Sequence, residues 1–125
     1  MANGILMDVE AEVSKVEKSG SKDLSVVKLI TLDGTNISLE VPHPLLQLKG
    51  GEKIRLVIST DPNIEHDVNG LLLCTIYSIE KIKSGKEERT FVYGSIGGLQ
   101  ARMEGKGLHK KFKMGDKVYL GIKLL

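Results

Sequence analysis

The sequence predicts an all-β domain of about eight short antiparallel strands, closed or nearly closed into a barrel. Three observations carry that reading. Apolar residues recur at alternate positions through most of the chain, the period of a half-buried strand. Turn-forming residues, chiefly glycine, divide the chain at short intervals. No stretch holds the 3.6-residue apolar period of a long helix. Closure follows from edge chemistry, since a barrel leaves few strand edges unpaired.

The elements follow in order. Ile5, Met7, Val9, Ala11 and Val13 point one way, and Asp8, Glu10, Glu12 and Ser14 the other. A helix would scatter those apolar residues around its circumference, so a strand is expected. The turn-like run 19–23 leads into a second strand, residues 24–32, and Asp33-Gly34 signals a two-residue hairpin. Ile37, Leu39 and Val41 resume the alternation until Pro42-His43-Pro44 breaks the ladder, because proline has no backbone N–H. Leu45-Leu46-Gln47-Leu48 forms either a short turn of helix or an irregular crossing, and residues 49–52 turn into a strand at 53–59.

A polar loop, 61–70, precedes a long strand from 71 to about 82. Ser84-Gly85-Lys86 turns the chain into 89–96, and Gly97-Gly98 either turns or bulges it into 99–104. A basic loop, 105–115, leads to a closing strand at 117–124. Residues 51–58 and 115–122 share one pattern, glycine, acid, lysine, then alternating apolar residues, 64 positions apart. One such echo is too little for a tandem repeat, but it implies two similar turn-into-strand entries, as in pseudo-symmetric barrels.

A length of 125 residues fits one domain, 1–125, that buries roughly two thirds of its unfolded surface. The apolar fraction of 41% and charged fraction of 27% exclude disorder. No apolar run approaches the roughly 18–20 residues that span a bilayer, and the start turns acidic within ten residues, unlike a signal peptide. A single cysteine, Cys74, can form neither an internal disulfide nor a zinc site, which points to a reducing compartment. A soluble, cytoplasmic domain is expected. There are five aromatics, Tyr77, Phe91, Tyr93, Phe112 and Tyr119, and some are expected in the core.

The net charge of +2 conceals a split. Residues 1–67 hold 7 Lys/Arg against 11 Asp/Glu; residues 68–125 hold 11 against 5. Such a bipolar chain docks on a charged partner, or simply carries solvated lysines.

Chemistry is scarce. Glu65, His66 and Asp67 are consecutive, so their side chains do not converge on one metal ion, and the expectation is a solvated loop. His43 sits between two prolines, and His109 lies in the basic loop. Cys74 reads as a small buried hydrophobe. The run Gly94-Ser95-Ile96-Gly97-Gly98 is neither a dinucleotide fingerprint nor a P-loop and stands between strands. No catalytic residue, cofactor, metal or small-molecule substrate is expected. In the basic loop, Lys106, Lys110, Lys111 and Lys113 are candidate nucleic-acid contacts, although so few aromatics leave little for base stacking.

Residues 93–105, Tyr-Gly-Ser-Ile-Gly-Gly-Leu-Gln-Ala-Arg-Met-Glu-Gly, followed by Gly115-Asp116-Lys117-Val118-Tyr119-Leu120, resemble the eighth subunit of DNA-dependent RNA polymerase. That small protein is shared by the eukaryotic nuclear polymerases, and some archaea have a counterpart known as the polymerase G subunit. Residues 51–59 are similar to the family's mid-chain strand, and Leu72, Cys74, Tyr77, Ile79 and Glu80 fall where its next long strand lies. The resemblance implies an eight-stranded barrel of the oligonucleotide-binding (OB) type. It also implies a non-catalytic structural subunit that docks on the largest polymerase subunit and supports assembly. Ile96 stands where the family usually has an aromatic, and Gln100-Ala101 where it usually has two apolar residues. The loop 61–70 is shorter than in eukaryotic members, which points to an archaeal form.

Docking asks for an exposed patch. The candidate interface is Tyr93, Gly97, Gly98, Leu99, Arg102 and Tyr119, with Phe91 a further anchor; core packing is the alternative for each aromatic. The two glycines admit a partner backbone, Leu99 offers apolar area and Arg102 a bidentate carboxylate contact. The alternative function is a free-standing OB-fold protein that binds single-stranded nucleic acid.

Overall fold

The computed structural model describes residues 4–18, 23–42 and 48–125, except for the side chains of 65–67. Eight strands run β1 Ile5–Lys18, β2 Leu24–Thr31, β3 Asn36–Pro42, β4 Lys53–Ser59, β5 Gly70–Ser84, β6 Glu87–Ile96, β7 Leu99–Gly105 and β8 Lys117–Leu124. They close into a barrel in the order β1-β2-β3-β7-β6-β5-β8-β4, every neighbour antiparallel. The expected all-β barrel is therefore observed.

Alternation puts one face of each strand inside. Leu29, Leu39, Ile54, Leu56, Ile58, Ile76, Val92, Val118 and Ile122 are all at most 1% exposed, so they fill the barrel as a single core. Eight strands leave an interior just wide enough for side chains to fill. The residual void is about 10 Å³ and wholly apolar in its lining, the lower limit for one water. Gly94 makes this fit possible: a Cβ there would lie 2.2 Å from Cys74 Sγ.

The turns differ from the sequence reading in instructive ways. Pairing of Ile30 with Asn36 makes the β2–β3 connection longer than the expected two residues, with Gly34 at φ +88° as its left-handed residue. The Asp33 carboxylate accepts hydrogen bonds from the Thr31 hydroxyl and the Thr35 N–H, and these hold the loop. Gly97 and Gly98, at φ +56° and +91°, form a two-residue turn between paired Ile96 and Leu99, so the alternatives resolve to a turn rather than a bulge. Ile5, expected on the inward face with Met7, is 39% exposed because the register shifts between Ile5 and Met7. Within the loop 61–70 a 3-10 turn, Pro62–Asp67, is capped by the Asp61 side chain. Its Ile64, with Val68, lies over Gly121. His43 lies outside the described residues, as does the crossing expected at 45–48 apart from Leu48, which is buried in the core.

The echo between 51–58 and 115–122 is structural. Glu52 Oε1 accepts the Lys49 N–H at 2.7 Å, and Asp116 Oδ2 accepts the Lys113 N–H at 3.0 Å. Gly51 N–H donates to Val13 O and Gly115 N–H to Ile76 O, each at 2.7 Å. Both glycines sit at φ +90°. Val13 and Ile76 each precede a register shift, in β1 and β5 respectively. Strands β1–β4 and β5–β8 thus repeat one topology. Each half is a three-strand meander whose fourth strand returns to pair with the first, and the halves meet along β3–β7 and β4–β8.

Candidate functional site

The outer faces of β5, β6 and β7 collect the most distinctive side chains. Register from the Gly97-Gly98 turn places Tyr93 opposite Arg102 and Phe91 opposite Glu104. Inward neighbours Thr90, Val92 and Gly94 are buried, so Phe91, Tyr93 and Ser95 face out. On β5 alternation from buried Leu72, Cys74 and Ile76 turns Tyr77 outward, where it is 50% exposed and stands at the register shift between Ile76 and Ser78. Its ring lies 6.3 Å from that of Tyr93, tilted by 36°. That spacing is within the range of a favourable aromatic pair.

Polar groups hold this row in place. The Arg102 guanidinium stands 5.0 Å from the Phe91 ring centroid, a cation–π distance. It lies 3.9 Å from Glu104, whose other oxygen takes the Arg89 Nε hydrogen bond at 3.0 Å. Gln100 Nε2 donates to Tyr77 Oη at 3.2 Å, and Gln100 N–H donates to Glu40 Oε1 at 2.7 Å. On its other side Arg102 borders a polar groove of about 300 Å³, shared with Ser14, Lys28, Asn36 and Ser38.

Of the residues singled out from sequence, the structure brings Tyr93 and Arg102 into direct cross-strand pairing. Gly97 and Gly98 cap the same hairpin with open space where their Cβ atoms would be. Leu99 does not join them: it packs against the core. Tyr119 stands on the outer side of β8 opposite Leu73, which is 48% exposed; about 13 Å of β5 separates Leu73 from Tyr77. Tyr77 and Gln100 are additions that the sequence reading did not place in the site.

The expectation that some aromatics lie in the core is met by Phe112 alone among the five, 1% exposed within the core cluster. Phe91, Tyr93, Tyr77 and Tyr119 are all on the outside of the barrel, and the fully buried Phe112 belongs to the loop 105–115. That loop is less open than its composition implies. Leu108 and Phe112 are each 1% exposed, a 3-10 turn spans Leu108–Lys110, and His109 Nδ1 lies 3.1 Å from Thr90 Oγ1. Lys106, Lys110, Lys111 and Lys113 are exposed around it.

Burial pushes the Cys74 thiol up to about 11, so it stays protonated and poorly nucleophilic. Among the described residues no three His, Cys, Asp or Glu side chains gather as a metal site. No helix among them is long and apolar enough to cross a membrane.

Comparison with curated proteins gives no match. Among solved structures, the chain is similar to a cytoplasmic molybdate-binding protein, ModG, crystallised with molybdate bound. The identity is 18% over 98% of this chain and 94% of that one, with a TM-score of 0.36, a likeness that carries no functional argument. A family model for the G subunit of DNA-directed RNA polymerase (RpbG) matches residues 6–124, nearly the whole chain, and the chain belongs to that family.

Proposed function

We propose that this protein is a non-catalytic structural subunit that docks on the largest subunit of an archaeal RNA polymerase, in the cytoplasm, through the outer faces of β5, β6 and β7. The observation that carries the reading is the outward-facing row of exposed Tyr77 and half-buried Tyr93 and Phe91, with Arg102 beside it. Tyrosine and arginine dominate the energetic centres of protein interfaces. Here the Tyr77 hydroxyl is held by Gln100 and the Arg102 guanidinium lies by Glu104, so docking immobilises less that is not already fixed. The glycine turn beside them leaves room for a partner backbone, and Tyr119 with Leu73 extends the apolar area.

The same aromatics could in principle stack bases, as a free-standing single-strand binder requires. Charge argues against it. Arg89 and Arg102 both face Glu104, and Glu80 is paired with Phe91 across the strands, so no surplus of cations surrounds the rings.

Affinity purification of the tagged chain at native abundance tests the reading. The two large polymerase subunits should be recovered at moderate salt. Tyr77→Ala with Tyr93→Ala should reduce that recovery at least tenfold, while the purified double variant keeps a cooperative thermal transition. Recovery of the chain alone would refute the proposal.

A further inference from the structure

We infer that the loop over the barrel end, residues 105–115, is a second interaction surface, one that holds a nucleic-acid duplex through its phosphates. This surface is separate from the β5–β6–β7 face and does not depend on where the barrel docks.

The loop is built to present charge. Leu108 and Phe112 insert beneath it, each 1% exposed, and the His109 ring meets Thr90 of β6. Gly105 at its start is pressed against Thr35, where a Cβ would lie 2.8 Å from the hydroxyl oxygen. The backbone is thereby fixed, and Lys106, Lys110, Lys111 and Lys113 project from a held scaffold rather than a loose tether.

These cations form no close ion pair, and only Lys111 has an acid near enough to attract it, Asp33. Among the described residues, the ion pairs use Lys15, Lys28, Arg55, Arg89 and Arg102, and none of the four loop lysines. The nearby acids are engaged elsewhere. Asp33 accepts the Thr31 hydroxyl and the Thr35 N–H and only partly offsets Lys111, and Asp116 accepts the backbone N–H of Lys113. No acid interrupts the sequence between Glu104 and Asp116.

The residue types select the ligand. Protein interfaces are depleted in lysine and enriched in aromatics and arginine, which is the composition of the β5–β6–β7 face and not of this loop. The one aromatic of the loop, Phe112, is buried, so it cannot stack on an unpaired base. What remains is a set of compact point charges suited to phosphate and blind to base sequence. A duplex backbone fits that set better than a single strand or a protein.

The test is an anisotropy titration of the full chain against a labelled random-sequence DNA duplex between 50 and 200 mM salt. Four phosphate contacts predict a log–log salt slope of about −3.6, so affinity falls roughly a hundredfold over that range. The variant K106Q/K110Q/K111Q/K113Q should bind at least tenfold more weakly at 50 mM salt, with its slope near zero. Single substitutions K106Q and K110Q should each make the slope shallower by about 0.9. The control K18Q/K49Q/K53Q/K123Q removes the same charge elsewhere and should leave the slope unchanged. A wild-type slope shallower than −1, or equal loss in the control, would overturn the inference. So would a polyglutamate that competes as well as the duplex.

Discussion

Replacing Gly94 with alanine tests how tightly the barrel interior is packed. The added Cβ would stand 2.2 Å from Cys74 Sγ and 3.3 Å from Thr75 O. An ordinary nonbonded separation is about 3.6 Å, so roughly 1.4 Å must be found in the sulfur contact alone. Cys74 is 2% exposed, and the void beside the pair is about 10 Å³, too small for a displaced thiol. Overpacking of this kind costs about 1–3 kcal/mol, offset by about 0.4–1 kcal/mol because alanine restricts the unfolded chain more than glycine. The net loss, about 1–2 kcal/mol, corresponds to a melting temperature lower by about 4–8 °C for a domain of this size. The informative assay is a double-mutant cycle of thermal melts with Cys74→Ala. Removing the sulfur should make Gly94→Ala nearly neutral, giving a coupling of about 1–2 kcal/mol. If Gly94→Ala has the same effect in both backgrounds, the Cys74 contact is not the cause and the packing argument fails.

Three further outcomes follow from the same structure. Gly98→Ala, at φ +91°, should lower stability by about 1–2 kcal/mol in denaturant titrations, whereas Gly97→Asn should stay within about 0.5 kcal/mol, because Asn-Gly suits this turn. The two-pronged hydrogen bond from Arg55 holds the Asp8 carboxyl below its ordinary value, at 2.7 and 2.6 Å. Its stabilisation is present above about pH 4 and lost as pH falls through the lowered value, so Asp8→Asn should cost at most about 1 kcal/mol at pH 7, and that cost should shrink as pH falls below about 4. Burial raises the Cys74 thiol to about 11, so its contribution is complete below about pH 8.5 and declines as pH rises toward 11. At pH 8, reaction of native Cys74 with a thiol reagent should be at least a hundredfold slower than in denaturant.

Local chemistry explains how much of this was legible in the sequence. The closing strand at 117–124 matches β8, and 53–59 matches β4, because a glycine-acid-lysine turn fixes where each begins. Tyr93 and Arg102 share a site because both count back from the same two-glycine turn, and Phe91 opposite Glu104 was available by the same count. Tyr77 faces out by alternation from Leu72, Cys74 and Ile76, but its place beside Tyr93 depends on a register shift against β6 that no single strand encodes. Leu99 was misplaced for a related reason: alternation from buried Ala101 and Met103 turns it inward. The outward aromatics could not be read from alternation alone, because both faces of β6 carry large apolar groups.

The two half-barrels carry a consequence for connectivity. Each half brings its own meander and its own returning strand, and the chain passes between them once, across residues 60–69. The seams are short, four residue pairs along β3–β7 and six along β4–β8, yet the inward side chains of both halves join in one core. A backbone cut within the connecting segment leaves every ladder intact and converts the fold into two complementary fragments. Covalent continuity sets their effective concentration, not their shape. Neither fragment can satisfy its β3 or β4 equivalent without a second half, so partner capture is written into each piece before the barrel closes.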